Sequence, residues 1–106
     1  MRPVRREDLA RSVADAVVAV PGVAALSPGS GVEVATLFAG GKVIGLRLGE
    51  EAVEVHIVAD QVPLQPIADE AAQAARRVLA AAGDDRPVQV VVEDVMVDAL
   101  DRRERG

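Results

Sequence analysis

The chain has no cysteine, tryptophan, tyrosine or asparagine, and a single phenylalanine, histidine, lysine and threonine each. Without cysteine there can be no disulfide, no thiolate nucleophile and no cysteine-ligated zinc, as expected for a reducing compartment such as the cytoplasm. Because Phe38 is the only aromatic, the core has to be assembled from Val, Ala, Leu and Ile, and single-stranded nucleic acid would find no stacking platform. Three serines, one threonine, His56 and Lys42 leave few ways to combine an acid, a base and a nucleophile. The expectation is a protein that is not an enzyme, with no catalytic residues, no cofactor and no metal. No run approaches the roughly 20 apolar residues needed to cross a bilayer. The apolar stretch after "MRPVRREDLA" is broken by Arg11, Ser12 and Asp15, unlike that of a signal peptide.

What is present is unevenly placed. Residues 1–11 and 102–106 hold seven of the twelve basic residues, whereas the stretch between them carries fourteen acids against five bases. An acidic body does not track phosphates, so nucleic-acid binding is disfavoured. The basic ends read as solvated tails, with Asp98 and Arg102, and Asp101 and Arg105, at helical i, i+4 spacing if residues 97–105 are helical.

The 106 residues suffice for one domain with a core at about residues 8–96. In "EDLARSVADAVVAV", Leu9, Val13, Val17 and Val20 recur at helical spacing, and "PG" at 21–22 ends the helix. A short strand, "VAAL", follows. "VEVATLF" at 32–38 suits either a strand or a helical turn, and strand is the reading taken. "KVIGLRLGEEAVEVHIVAD" alternates in two runs around Gly49–Ala52, the pattern of a β-hairpin. It sets Ile44, Leu46 and Leu48 with Val53, Val55 and Ile57 on the core face, and Arg47, Glu54, His56 and Val58 on the other. A second helix is expected from Pro66 to Gly83. The strand "VQVVVEDVMV" then places Val88, Val90 and Val92 inward and Gln89, Val91 and Glu93 outward. The order αβ(β)ββαβ predicts an α+β two-layer sandwich, with two helices on one face of a largely antiparallel sheet of about four strands.

The segments "DLARSVADAVVAVPGVAALSPG", "EVATLFAGGKVIGLRL", "VEVHIVAD", "VPLQPIADEAAQAARRV" and "PVQVVVEDV" resemble the alkaline shock protein family of bacterial envelope stress response proteins, over residues 8–96. The family has a proline where Gln65 stands, and here Pro66 is displaced by one. The resemblance implies a non-enzymatic cytoplasmic protein at the inner face of the membrane, bound to a membrane-anchored partner and carrying no catalytic residues.

His56 and Glu54, at i and i+2 with no second histidine, supply too few ligands for a metal site, so His56 is expected to be a surface residue. "PGSG" lacks the GK[ST] of a phosphate loop, and Glu93, Asp94, Asp98 and Asp101 lack the spacing of a calcium loop. The expected site is instead a partner-binding sheet face comprising Arg47, Glu54, His56, Val58, Gln89, Val91 and Glu93, in which charge is mixed with valine. A free sheet edge offers self-association as a second use. Two other classes fit the layout: a KH-like RNA-binding module, though no GXXG loop is present, and a small accessory subunit of an enzyme or a small-molecule carrier with a pocket under the alanine-rich helices.

Overall fold

The computed structural model describes residues 5–96. Residues 1–4 and 97–106, and with them the helical reading of residues 97–105, lie outside the described residues; the rest of the basic N-terminal end is not a tail, because Arg5 caps the first helix and Arg6 and Arg11 stand within it. Elements run α1 (Arg6–Val18), β1 (Val23–Leu26), β2 (Ala35–Phe38), β3 (Gly41–Ile44), β4 (Leu46–Leu48), β5 (Val53–Ala59), α2 (Leu64–Ala81) and β6 (Val88–Val95). The two helices cover one face of a four-stranded sheet, so the fold is an α+β sandwich.

The central strand is β5. Along one side it pairs with β6 over its full length; along the other it pairs with β4 at one end and β1 at the other. β1 and β4 are both antiparallel to β5, whereas β6 is parallel to it, with α2 as the crossover between them. β1 and β4 therefore lie end to end, and residues 27–45 form an excursion between them. His56 bridges the junction, its N–H donating to the Gly45 carbonyl and its carbonyl accepting from the Ser27 N–H.

The core answers to the helical and strand periodicities. Leu9, Val13, Val17 and Val20 from the α1 region are buried against Leu46, Leu48, Val53, Val55, Ile57 and Ala59 from the sheet. A fully buried Val, Leu or Ile contributes about 1.5–3 kcal/mol, so this aliphatic layer does without aromatics. From α2, Ile67, Ala71, Ala74, Ala75 and Leu79 complete it, and the alanines let the helix approach the sheet closely. α2 ends in a Schellman motif, with the Gly83 N–H donating to Ala80 O, the Asp84 N–H to Leu79 O, and Gly83 at φ +76°.

Several expectations need correction. The run from Lys42 to Leu48 is not one strand: Gly45, at φ +89°, breaks it into β3 and β4. Ile44 is consequently off the core face and 41% exposed, while Leu46 and Leu48 are buried. In "VEVATLF" only Ala35–Phe38 is strand, and it pairs with β3 in a separate two-stranded hairpin, which leaves Val32 84% exposed. α2 begins at Leu64 rather than Pro66, because Pro63 already holds the extended geometry that precedes a helix.

The β2–β3 hairpin is fastened to β4 by a side chain in place of a strand ladder. The Thr36 hydroxyl donates to Leu46 O (2.7 Å) and accepts from the Leu48 N–H (3.2 Å). Arg11 of α1 lies over the Phe38 ring, 5.2 Å from its centroid.

A second fastening joins the α2–β6 turn to the β4–β5 loop. Arg86 forms a forked pair with the Asp84 carboxylate and donates to Gly49 O. The guanidinium as hydrogen-bond donor, then the Arg86 backbone N–H, and last the guanidinium's charge hold the Asp84 carboxyl below the usual carboxylate range against the opposing effect of burial. A carboxyl with a lowered folded-state pKa contributes stability above its unfolded pKa, and that contribution is lost as pH falls through the folded value. Asp84→Asn is therefore expected to lower stability by about 1 kcal/mol at neutral pH, with the difference from the parent chain beginning to shrink near pH 4, the ordinary carboxyl value, and continuing to shrink as pH falls through the lowered folded value. Urea melts between pH 2.5 and 7 measure this, and a difference that stays constant from pH 7 down to pH 2.5 would assign the effect to packing.

Candidate partner-binding face of the sheet

The face of the sheet opposite the helices receives every second residue of its strands. Register places Arg47 beside Glu54, Glu54 beside Gln89, and His56 beside Val91, so these residues form two adjacent rows across β4, β5 and β6. Val58 lies further along β5, opposite Asp94. Thus the seven residues singled out in the sequence share this face.

Charge on the face is organised as a chain. Arg47 Nη1 donates to Glu54 Oε2 at 2.8 Å. The other oxygen of Glu54, Oε1, lies 3.6 Å from His56 Nε2, and His56 Nδ1 is 3.0 Å from Glu93 Oε1. Because Glu93 is a carboxylate acceptor, Nδ1 carries the hydrogen of the neutral ring. Nε2 is buried with no hydrogen-bond partner among the described residues, and the nearest group it faces is the Glu54 carboxylate.

Glu93 reaches His56 because of a bulge. The β5–β6 register runs Ile57 to Val92 and then Val58 to Asp94, so Glu93 is the extra residue, and a bulge of this kind re-aims a side chain.

The expectation of a surface histidine is corrected here. His56 does point away from the helices, yet it is only 9% exposed. The loop that follows β1 folds over it: Gly29 passes so close that a Cβ there would stand 3.9 Å from Nδ1, and Ser27 and Val34 of the same loop are buried. Val91 is 39% exposed and Gln89 is exposed, so solvent reaches the β6 side of the face and the Arg47 end, but not Nε2 of the imidazole.

His56, Glu54 and Glu93 can hold one another in place, and the Ser27 hydroxyl of the covering loop accepts from the Gly29 N–H. No group of three or more His, Asp or Glu side chains suited to a metal ion occurs among the described residues. On the other side of the molecule, shallow clefts of about 310 Å³ lie between α1 and α2, one lined by Leu9, Ser12, Val78, Ala81 and Ala82. The sequence did not indicate the loop over His56 or the bulge at Glu93, since both depend on contacts between distant segments.

Fold and face together define a small α+β sandwich with one helix-covered and one partly open sheet face. No protein-family model, curated protein or solved structure matches the chain.

Proposed function

We propose that this chain is a non-enzymatic interaction module of the bacterial envelope stress response, acting at the cytoplasmic face of the membrane by binding a membrane-anchored protein. The resemblance of its segments to the alkaline shock protein family supports this reading, as does the α+β sandwich that those segments form. No described helix is long and apolar enough to cross a membrane, so the proposed route to the membrane is a partner.

One observation carries the assignment of the surface: Arg47, Glu54, His56 and Glu93 form a fixed charge chain beside the exposed Val91 and Gln89. A charged group held in position by neighbours loses little conformational freedom on binding, and it sets the orientation of a partner more than the raw affinity.

Crosslinking capture of the tagged protein from its native cells, nuclease-treated and fractionated into membrane and soluble parts, tests the proposal. A small membrane-anchored protein is the expected catch. Arg47→Glu is expected to reduce its recovery about tenfold, the scale of one interfacial charge pair. It sets two carboxylates side by side on a half-buried row and removes their ion pair, so the fold should lose about 1 kcal/mol while the circular dichroism spectrum should not change. Undiminished capture by the Arg47→Glu protein would remove this face from consideration.

A further inference from the structure

β6 is the outer strand of the sheet, paired only with β5 among the described residues. Its eight residues make it the longest strand, and long edges in natural proteins are normally guarded by lysine, proline or an inward charge. Val88–Val92, "VQVVV", contains none of these; Pro87 and the bulge at Glu93 guard only its two ends and leave five residues open between them. The opposite flank of the sheet is different, because the β2–β3 hairpin lies beside β4 and is fastened to it by Thr36.

The direction of the unpaired backbone groups follows from the ladder. Pro87 O accepts from the Val53 N–H, so in alternation Gln89 and Val91 also turn their backbone groups toward β5. The N–H and C=O groups of Val88, Val90 and Val92 are left on the outer edge. Their side chains pack toward the helix layer, where they touch the core.

We infer that this edge is a homodimer interface, in which β6 pairs antiparallel with β6 of a second copy about a two-fold axis at Val90. The inference does not rest on the proposed function. The stretch is close to a palindrome about Val90: Val88 meets Val92 of the second copy, Val90 meets Val90, and Gln89 meets Val91, so no like charges stand opposite. A register centred on Val91 would set Val88 against Asp94, whose backbone is turned toward β5 beyond the bulge, and would forfeit the bonds at that end. The self-complementary register is thus the one that uses all three outward residues. It merges two four-stranded sheets into one and sets two Arg47–Glu93 faces on a common surface, which gives bivalent capture of any partner of that face.

The absence of cysteine makes the test clean. Gln89 and Val91 of the second copy would form a non-hydrogen-bonded pair with Cα atoms about 4.5 Å apart, inside the disulfide range, and both side chains are exposed. Mixing Gln89→Cys and Val91→Cys full-length chains under mild oxidation should give a disulfide heterodimer in clear excess over either homodimer. Sedimentation of the unmodified chain at about 10–500 µM should show a monomer–dimer equilibrium, the range suited to a small interface. Val90→Pro removes an outward N–H that the monomer does not use, and by symmetry two intermolecular bonds, so the dissociation constant should rise roughly 10- to 100-fold. If that variant does not fold, the disulfide result still decides. A chain monomeric throughout that range overturns the inference, as does a dimer in which the Gln89–Val91 disulfide is not enriched or which Val90→Pro leaves intact.

Discussion

Replacing Gly45 by alanine is expected to destabilise the fold by about 3–4 kcal/mol and to lower the melting temperature by on the order of 15 °C or more. Gly45 sits at φ +89°, where a side chain is strained, and at the point where the end of β1 abuts the start of β4. A Cβ there would stand 2.6 Å from Leu26 Cβ, 3.0 Å from Ser27 O and 3.2 Å from Ser27 N. Two of those three atoms are backbone, and that backbone is bonded to His56 in the central strand, so it cannot retreat without opening the sheet. Gly40 supplies the control. Its φ is +88°, yet nothing lies within 4 Å of a Cβ built on it, so Gly40→Ala should show the backbone strain alone, about 1–2 kcal/mol. Thermal melts of the two variants separate strain from collision, and equal losses would show that the abutment is not what constrains Gly45.

The same junction marks the boundary of what could be read from the sequence. Local periodicity is explicit in α1, β5 and α2, because each buries one face against many neighbours and the spacing of Leu9, Val13 and Val17, or of Val53, Val55 and Ile57, records that directly. The alternation of β4, β5 and β6 likewise placed the seven candidate residues on one face. By contrast, alternation continues unbroken through Ile44, Gly45 and Leu46, so the division into β3 and β4 leaves no periodic trace. Only the glycine hints at it. The burial of His56 was illegible for a similar reason: alternation gives the face on which a side chain stands, but not whether the Ser27–Val34 loop returns to cover that face. The parallel pairing of β6 fits the general expectation for a strand, a helix and a strand in succession, and it is the parallel exception in a sheet whose other pairings are antiparallel.

Thr36→Val is expected to cost about 3 kcal/mol although it preserves the shape of the side chain. Thr36 is 1% exposed, and its hydroxyl is the shared partner of Leu46 O and the Leu48 N–H. Valine would leave one carbonyl and one amide buried without that partner, each costing about 1–3 kcal/mol. Thr36→Ser keeps the hydroxyl and loses one methyl group, so it should cost only about 1 kcal/mol; urea denaturation of the two proteins gives the comparison. A valine variant as stable as the serine one would mean that the hydroxyl does not hold β2 to β4. Hydrogen exchange locates the effect, because the Leu48 amide loses its acceptor in the valine protein and should exchange faster, while amides of β5 paired with β6 keep their protection relative to global unfolding. The β2–β3 hairpin would then open as a unit from a sheet that stays closed, since its remaining attachments are the buried Val43, the Gly45 N–H to Val34 O bond and the Arg11–Phe38 contact. With one threonine in the whole chain placed at this seam, a single hydroxyl does the joining that a strand ladder does elsewhere in the sheet.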